Sequence, residues 1–476
     1  MNEKIIKEGL TYSDVLLVPQ RSRVESRQLV DTSAVFAGNI KLKVPIVSAN
    51  MDTVTEYKMA IAMARMGGIG VIHRFMSVKQ EADQIARVKR AEGYKIESPY
   101  TINPDKTLGE AREVMSKYGV SGLLIVDGVG NLEGILTRRD LLFQEDQRKL
   151  VKELMTPKQD LIVAHEDTDI VEARSILSRH RIEKLPLVNN DGKLIGLITS
   201  KDIIKIMQYP DATKDERGRL RVAGAIGTKA DALERAKALV DAGADALVID
   251  IAHGHSEMVL KTLNLLKSNN IGVPIVAGNV ATGEAVRDLV SAGADAIKVG
   301  VGPGSTCITR LVAGSGVPQF TAVLECAREA SKYNIPINAD GGIVYSGDVA
   351  KAIGAGASTV MLGSLLGGTD ESPGITLTKN GRKYKISRGM ASLGANINRD
   401  SNKNTDNPEY VAEGVEAMVP YRGSVTEIVN QLVGGLKSGM SYSNALSVGE
   451  MWQNAKFCKI TASGWAESKP HDISVL

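Results

Sequence analysis

Three observations predict an α/β fold for this chain of 476 residues, a TIM (β/α)8 barrel with an inserted tandem module. Short apolar runs alternate with helical patterns eight times, which is the unit count of such a barrel. An internal repeat interrupts the alternation after the second run. Aspartate, asparagine and glycine follow run after run, at the strand ends where barrels carry their chemistry.

The eight apolar runs have the pattern of buried parallel strands, because hydrophobic residues occupy both faces of each run. One helical pattern lies between most of them, as at residues 229–242 and 284–292. Strands are therefore expected at Val44–Ser48, Ile69–Ile72, Arg221–Ala225, Ala246–Asp250, Pro274–Gly278, Ala296–Gly300, Pro336–Asp340 and Thr359–Gly363.

Composition excludes several classes of protein. Hydrophobic residues make up 43% and the net charge is +3 without long runs of one sign, so no nucleic-acid-binding face is expected. No apolar stretch reaches the roughly 18 residues of a membrane span. The three cysteines, Cys307, Cys326 and Cys458, form no disulfide framework and fit a reducing, cytoplasmic compartment. Cys326 and Cys458 lie in helical patterns and are expected to be buried structural residues.

The inserted segment repeats itself at an offset of 62 residues. Residues 120–127 and 134–140 recur as residues 182–188 and 196–202. Each copy predicts a helix, a strand, a polar turn, a second strand and a second helix. A copy of about 55 residues buries too little surface to be stable alone, so the two should pack as one module.

This repeat resembles a pair of CBS domains, which bind adenine nucleotides in many proteins. Each copy ends in Thr-x-x-Asp (Thr137 with Asp140, and Thr199 with Asp202), where such pairs hold a ribose. The same residues are good helix caps, so ligand binding and capping both remain open. The expected domains are a first part of the barrel at 1–92, the CBS module at 93–207 (copies at about 93–150 and 154–207) and the remaining barrel at 208–476.

Two glycine-containing turns follow the seventh and eighth predicted strands. Gly341-Gly342 and Gly363-Ser364 are placed where many barrels bind phosphate through bare backbone N–H groups. Asp340, directly before the first turn, could accept hydrogen bonds from a ribose diol. A phosphate site beside a ribose acceptor indicates a nucleotide.

The segment from Gly300 to Arg310 places one thiol, Cys307, in a glycine-rich loop at the barrel mouth. Backbone amides and an adjacent helix start favour the thiolate, which is the nucleophilic form. Thr309 lies two residues further on and could relay a proton to or from a substrate amine. This loop therefore predicts covalent catalysis.

The loop resembles the catalytic loop of the IMP dehydrogenase / GMP reductase family, and the likeness extends over nearly the whole chain. A CBS insertion at this point of the barrel is also common in the family. The other segments that carry the resemblance are Thr11–Pro19, Ala49–Val54, Asp250–His255, Ala277–Val280, Ala339–Gly342, Met361–Ser364, Glu371–Gly374, Arg388–Gly394 and Glu413–Glu416.

The resemblance implies that Cys307 attacks C2 of a purine 5′-monophosphate, and that hydride passes between C2 and a nicotinamide of NADP or NAD. Thr309 and Glu413 would serve beside Cys307 as the other catalytic residues. The positions implied to hold the substrate nucleotide are Ser305, Asp340, Gly341, Gly342, Gly363, Ser364, Gly389, Met390 and Glu413, and those near the nicotinamide are Asp250, Asn279, Gly300 and Gly302.

The resemblance also implies a potassium ion and an assembly. Gly302, Gly304 and the Cys307 carbonyl match a potassium site that Glu467 and Ser468 of a neighbouring subunit complete. This implies a homotetramer, with an octamer as an open possibility. ATP or GTP is expected at the CBS pair as a regulator.

The family has two branches, which differ in the sequence of a mobile flap, here at about 386–422. Dehydrogenases activate water with an Arg-Tyr pair on this flap. Here Arg399 lies too early, Tyr410 has no neighbouring arginine, and Tyr421-Arg422 comes after the stretch 396–412 where the pair is expected. We therefore favour GMP reductase, which gains when water is not activated. IMP dehydrogenase remains the alternative, and a catalytically idle nucleotide sensor is a third possibility.

Overall fold

Eight parallel strands close into a barrel in the computed structural model, which describes residues 4–5, 7–93, 95–97, 99–395, 411–470 and 473. Each strand pairs with the next in the chain and the last pairs with the first, so the predicted (β/α)8 fold is confirmed. The strands are Ile46–Ser48, Ile69–Ile72, Ala223–Ile226, Ala246–Asp250, Ile275–Val280, Ala296–Val299, Ile337–Asp340 and Thr359–Leu362.

A helix follows each barrel strand and covers the outside of the barrel. Short helices at Thr309–Val312 and Ser364–Gly367 precede the sixth and eighth of these. The eight outer helices of the described chain are Tyr57–Arg65, Val78–Ala91, Ala232–Asp241, Glu257–Ser268, Gly283–Ser291, Gln319–Ala330, Ser346–Gly354 and Val425–Tyr442.

Alternate residues of each strand face the barrel interior, as the two-residue period of a strand requires. In the fourth strand Ala246 and Val248 belong to the interior cluster, while Leu247 and Ile249 pack against the outer helices. A hairpin of strands Ala34–Ala37 and Ile40–Leu42 joins the interior cluster at the amino ends of the strands. The hairpin closes that end, so the carboxyl ends are the open mouth.

A buried ion cluster fixes the amino end of the fourth strand. Asp245, directly before the strand, accepts the Val222 N–H at 2.9 Å and the Lys89 ammonium at 2.8 Å. Lys89 also contacts Asp215 at 3.0 Å, and its side chain is only 5% exposed. These bonds tie the helix Val78–Ala91 to the starts of two strands.

The remaining elements of the barrel unit lie around its rim. The strand Val15–Leu17 pairs antiparallel with Phe457–Lys459, and a sheet contains Leu377–Lys379, Arg382–Arg388 and Glu416–Pro420. Cys326 is buried in a helix as predicted, but the prediction for Cys458 was wrong, because Cys458 lies exposed in a strand. The other elements are 3-10 turns Tyr12–Asp14, Arg27–Leu29 and Ser331–Tyr333 and helices Val448–Asn454 and Ala462–Glu467.

Residues Glu92–Pro210 and Glu216–Arg219 form a second compact unit. It contains two sheets, one of four strands and one of three. Its strands are Thr101–Ile102, Gly122–Val126, Leu132–Thr137, Thr156–Pro157, Ala164–His165, Lys184–Val188 and Leu194–Thr199, and its helices are Leu108–Tyr118, Arg138–Leu141, Ile170–His180 and Ser200–Gln208, with 3-10 turns Val151–Glu153 and Lys158–Asp160.

The two copies of the repeat have the same register in this second unit. Gly122 pairs with Thr137 in one hairpin, and Lys184 pairs with Thr199, 62 residues on, in the other. The hairpins contact each other reciprocally, because Leu132 N–H donates to the Gly192 carbonyl while Leu194 N–H donates to the Gly130 carbonyl. Leu124, Leu132, Ile135 and Leu197 then form a core shared by both copies.

No helix in the described part of the chain is long and apolar enough to cross a membrane.

Candidate functional site

A cavity of about 460 Å³ opens at the carboxyl ends of the barrel strands. Ser305, Gly342, Gly363, Ser364, Glu467 and Ser468 were predicted as site residues but do not line it. The predicted residues that line it are Asp250, Asn279, Gly300, Gly302, Gly304, Cys307, Thr309, Asp340, Gly341, Gly389, Met390 and Glu413.

The three predicted catalytic side chains form one hydrogen-bonded chain. Cys307 Sγ lies 3.2 Å from Thr309 Oγ1, and this hydroxyl donates to Glu413 Oε2 at 2.7 Å. Thr309 is only 9% exposed, so bulk water competes little for its hydroxyl. A proton can therefore pass between the carboxyl group and an atom bound beside the sulfur.

Glycine is required in the loop that carries the thiol because other parts of the chain approach closely. A Cβ atom at Gly300 would lie 2.2 Å from the Asp340 carbonyl oxygen, and one at Gly302 would lie 2.6 Å from the Arg310 side chain. Arg310 in turn donates to the carbonyl groups of Val301 and Val317. The loop is thus held rigidly against the end of the seventh strand.

The described ends of the predicted flap join the thiol loop through the main chain. Ile308 N–H donates to the Glu413 carbonyl at 2.8 Å, and Val415 N–H donates to the Thr306 carbonyl at 2.9 Å. Glu413 N–H also donates to Ala391, which connects the two ends of the flap. These bonds bring Glu413 to Thr309 across 104 residues of sequence. Arg399 and Tyr410, on which the branch prediction depends, lie outside the described residues.

Lys298 is a site residue that sequence reasoning missed. Its ammonium donates to Asp250 Oδ1 at 2.6 Å, to Asp340 Oδ2 at 2.8 Å and to Asn279 Oδ1, and the side chain is 2% exposed. Asn279 Nδ2 donates to Asp340 Oδ2 at 2.9 Å. One buried cation therefore joins the predicted substrate side and the predicted nicotinamide side of the cavity.

The strand register explains how Lys298 reaches Asp250. Asp250, Gly278 and Lys298 are register partners on three adjacent strands. A Cβ atom at Gly278 would lie 2.6 Å from the Lys298 Cβ, so the glycine leaves a channel through which the lysine crosses one strand. A lone charged residue in an apolar strand was the sequence signal that could have revealed this bond.

The charges within this group shift its pKa values. Although burial alone would raise the pKa of Asp250, Lys298 and the nearby Arg74 hold it below the ordinary value. Burial alone would lower the pKa of Lys298, but Asp250 and Asp340 raise it above its usual range. Asp250 is therefore an anion, and Lys298 a cation, throughout the physiological pH range.

The predicted phosphate turns lie at the cavity edge. Gly341 and Gly342 have φ values of +89° and +81°, a conformation that favours glycine. Gly363 precedes the short helix Ser364–Gly367, and a Cβ there would lie 2.9 Å from the sulfur of Met51, which lines the cavity. The structure thus brings both turns to the same side of the mouth.

The residues implied for potassium come from two places. The Gly304 carbonyl accepts the Cys307 N–H at 3.1 Å, and Gly302 has a φ of +79°. Glu467 and Ser468 lie at the end of the C-terminal helix. In the described ranges no group of three acidic, histidine or cysteine side chains could hold a metal. The carbonyl oxygens of the thiol loop fit a hard monovalent cation by their chemistry, and this site stays a prediction.

In the second unit, the predicted ribose-binding residues cap helices. Thr137 N–H and Oγ1 both donate to Asp140 Oδ2 at 2.7 Å. Thr199 Oγ1 donates to Asp202 Oδ2 at 2.5 Å, and Asp202 N–H donates back to Thr199 Oγ1. The capping alternative therefore describes these residues as the structure has them, and ligand binding remains untested.

Comparisons with known proteins cover nearly the whole chain. A family model described as IMP dehydrogenase / GMP reductase domain matches residues 9–471. The chain is 51% identical to an inosine-5′-monophosphate dehydrogenase of Nitrosopumilus maritimus, over 99% of each protein. It is 50% identical to a GMP reductase of Leishmania donovani, over 99% of this chain and 98% of that protein.

A solved structure has the same fold over the same length. A crystal structure of a cysteine-to-alanine variant of GMP reductase from Trypanosoma brucei, in complex with guanosine 5′-monophosphate, is 47% identical and superposes with a TM-score of 0.93. The match covers 99% of each chain. The relatives of comparable similarity thus carry two different reaction names.

Proposed function

This chain belongs to the IMP dehydrogenase / GMP reductase family, and we propose that within the family it is a GMP reductase. The family identifies it as a purine nucleotide oxidoreductase that uses NAD(P). The finer reaction proposed is that GMP, NADPH and a proton give IMP, ammonia and NADP⁺. The observation that carries this proposal is the hydrogen-bonded chain from Glu413 through Thr309 to the Cys307 sulfur.

Cys307 begins the reaction as the nucleophile. Its thiolate adds to C2 of the guanine ring, and the C2–N bond to the exocyclic amine breaks to leave a thioimidate. A bound dihydronicotinamide supplies the hydride that C2 then receives. The C2–S bond breaks with its electron pair on sulfur, which regenerates the thiolate and releases IMP.

Thr309 and Glu413 handle the proton that the leaving amine needs. Amide-type nitrogen leaves poorly as an anion, so a proton must arrive as the C2–N bond breaks. Thr309 Oγ1 lies within hydrogen-bond distance of both the sulfur and Glu413 Oε2. The hydroxyl can donate to the amine and be reprotonated by the Glu413 carboxyl group without bulk water.

Each of the two carboxylates in the cavity suits a different ligand. Asp340, beside the Gly341-Gly342 turn, suits the ribose hydroxyls of the substrate nucleotide. Asp250 suits the ribose of the nicotinamide half, and Asn279 bonds both Asp340 and Lys298. Bonds from Lys298 hold both carboxylates in place before either ligand arrives.

The choice of branch depends on a missing base. Water attack on the thioimidate needs general-base help, which contributes roughly 10²–10⁴-fold. The flap sequence offers no Arg-Tyr pair for this task. A reductase benefits from the absence, because water would divert its intermediate to XMP.

The decisive experiment supplies each substrate pair separately. Loss of NADPH absorbance with GMP, together with IMP release, would support the proposal. Formation of NADH from IMP and NAD, with release of XMP, would contradict it in favour of the second candidate. No reaction with either pair would support the idle sensor.

IMP dehydrogenase is the second candidate function. The 51% identity to an enzyme of that name over 99% of both chains favours it. The same cavity and the same thiol would serve IMP, since both reactions pass through a thioimidate at C2. The two candidates differ in how that intermediate is formed and resolved: the reductase loses ammonia and then adds hydride, whereas the dehydrogenase loses hydride and then adds water.

For the second unit we propose regulation by ATP or GTP as a CBS pair, supported by the equal registers of its two hairpins. Millimolar ATP or GTP is expected to change the apparent affinity for the substrate by about 5- to 150-fold, the usual range of coupling between sites, or to change the sedimentation coefficient through assembly. Thr199→Ala should weaken this response without changing activity in the absence of nucleotide. Identical activity and sedimentation with and without both nucleotides would contradict regulation.

Potassium, a homotetramer and a cytoplasmic location complete the proposal. Exchange of potassium for sodium is expected to lower turnover, because the carbonyl oxygens of the thiol loop would bind sodium less well and the loop would be held less firmly. Three unpaired cysteines support a reducing compartment. Preference for NADP over NAD follows from the reductase assignment and is tested in the same assay.

A further inference from the structure

We infer that Lys298 is a positioning residue that holds Asp250 and Asp340 together as paired anions and thereby couples binding of the dinucleotide to binding of the substrate nucleotide. The inference rests on the proposed function, since it takes the two carboxylates as the ribose acceptors of the two ligands. Lys298 itself lies beneath both.

The first support is geometric. One ammonium nitrogen donates to Asp250 at 2.6 Å and to Asp340 at 2.8 Å, so the two carboxylates approach from two sides of a single atom. The amide of Asn279 bridges the same groups, by donating to Asp340 and accepting from Lys298. Any shift of one carboxylate therefore changes the bonds of the other.

The second support is electrostatic. Two carboxylates that contact the same nitrogen atom repel each other, and a cation between them offsets this repulsion. Lys298 is the largest cause that keeps the pKa of Asp250 low against the effect of burial. Arg74, the other cation facing this group, bonds the Asp250 main-chain carbonyl at 3.4 Å, and Asn50 bonds the Asp250 carboxylate. Lys298 is thus the cation that both carboxylates share among the described side chains.

The third support is that the fold makes room for this contact. Gly278 stands between the strands of Asp250 and Lys298, and any larger residue would collide with the lysine. An inward lysine in a barrel strand costs desolvation unless it is paired. The pairing here satisfies the lysine and leaves the outer carboxylate edges facing the cavity.

The consequence is reciprocal coupling. When Asp340 accepts hydrogen bonds from the hydroxyl groups of the substrate nucleotide, these donors compete with Lys298 for the carboxylate. The hydrogen bond between Lys298 and Asp250 then changes in strength. Coupling between two ligands must be equal in both directions. The bound substrate nucleotide should therefore change the dissociation constant of the oxidised dinucleotide, and the reverse, by the same factor.

The test measures equilibrium binding of GMP and of NADP⁺, each alone and in the presence of the other, by calorimetry. Lys298→Met should weaken both ligands by about tenfold or more and remove the coupling between them. One carboxyl group then takes up a proton, so the remaining affinity should improve as the pH rises from about 5 to 8. Lys298→Arg, which keeps the charge, should retain most of the binding.

A double variant separates positioning from general damage. In Lys298→Met with Asp250→Asn, the like charge is gone, so affinity for GMP should recover while affinity for NADP⁺ stays weak. Lys89→Met is the matched control, because Lys89 is an equally buried lysine with two aspartate partners that does not line the cavity. It should leave both dissociation constants within about twofold. If Lys298→Met fails to fold, Lys298→Gln takes its place, since it removes the shared charge and keeps a polar group in the site.

The outcomes are distinguishable. Wild-type protein that neither binds GMP nor oxidises NADPH with it would overturn the proposed function and this inference with it. Wild-type protein that does both, with a Lys298→Met variant that binds both ligands normally, would overturn only the role of Lys298. Absence of recovery in the double variant would also overturn it, because simple structural damage predicts that result.

Discussion

The two ends of the strand Ala246–Asp250 carry the same chemistry for different purposes. At the amino end, Asp245 bonds the buried Lys89 and a main-chain N–H of the neighbouring strand. At the carboxyl end, Asp250 bonds the buried Lys298 and faces the cavity. Asp245 contacts protein groups and does not line the cavity, whereas the carboxylate of Asp250 also faces the cavity, where a ligand can reach it. Buried ion pairs are therefore not functional in themselves; what matters is which end of the barrel they occupy.

The pKa shifts of the two aspartates point in opposite directions. Burial raises the pKa of Asp245 above 3.8 in spite of Lys89 and Arg221. At Asp250 the effect of burial is overcome by Lys298 and Arg74, and the pKa is lowered below 3.8. The aspartate at the cavity end thus holds its charge more firmly than the aspartate at the closed end. Four sets of measurements test whether the two ends of the barrel differ in this way.

The largest effect is expected at the thiol. Cys307→Ser should lower turnover by roughly 10⁴-fold or more, because no covalent intermediate can form efficiently. Affinity for GMP should remain within about threefold, since the proposed phosphate and ribose contacts lie elsewhere. Steady-state rates and calorimetry measure the two quantities. Near-normal turnover in this variant would exclude the covalent mechanism.

A smaller loss is expected at the proton relay. Thr309→Val removes the hydroxyl between the sulfur and Glu413 and should lower turnover by about 10²–10⁴-fold. Thr309→Ser keeps the hydroxyl and is the matched control, which should retain activity within about tenfold. Single-turnover kinetics with GMP would locate the defect in the step that releases ammonia. Equal rates in the valine and serine variants would contradict a relay through this residue.

At the opposite end, stability rather than rate should respond. Lys89→Met removes the ammonium that Asp245 and Asp215 both contact, although Arg221 stays 3.7 Å from Asp245, and should destabilise the barrel by about 3–5 kcal/mol. Turnover per folded molecule should not change. Urea unfolding and active-site titration measure the two quantities. A large fall in the rate per folded molecule would show that the two ends are not independent.

The smallest effect is a difference in the pH dependence of stability. Asp250 has a lowered pKa, so wild type should gain stability over Asp250→Asn as the pH rises toward 3.8, and keep it above. Asp245 has a raised pKa, so wild type should lose stability relative to Asp245→Asn as the pH rises above 3.8. Each unit of pKa shift corresponds to about 1.4 kcal/mol. Urea unfolding between pH 3 and 7 gives both slopes, and slopes of the same sign would contradict the contrast.

The barrel could be predicted from sequence because buried parallel strands are nearly continuous apolar runs. This signal is local, so it located all eight strands among the described residues. It failed at Cys458, whose short strand exists only because it pairs with Val15–Leu17 at the other end of the chain. Such long-range pairing leaves no mark in the local pattern.

The site was predictable where its chemistry is local. The glycine-rich loop around Cys307 and the polar residues after each strand were visible as motifs. The contact of Thr309 with Glu413 spans 104 residues, and only the resemblance to a family suggested it. Lys298 was missed because one charged residue inside an apolar strand does not reveal which face it occupies or that Gly278 makes room for it.

The length of the strand Ala246–Asp250 also fixes the distance between Asp245, directly before it, and Asp250 at its end. This distance is about 17 Å at the usual rise of a strand. Deleting one residue of the strand would turn the side chains on one side of the deletion to the opposite face. Either Asp245 would then lose its contact with Lys89, or Asp250 its contact with Lys298. The length of this strand is therefore as strict a requirement of the site as the identity of Asp250.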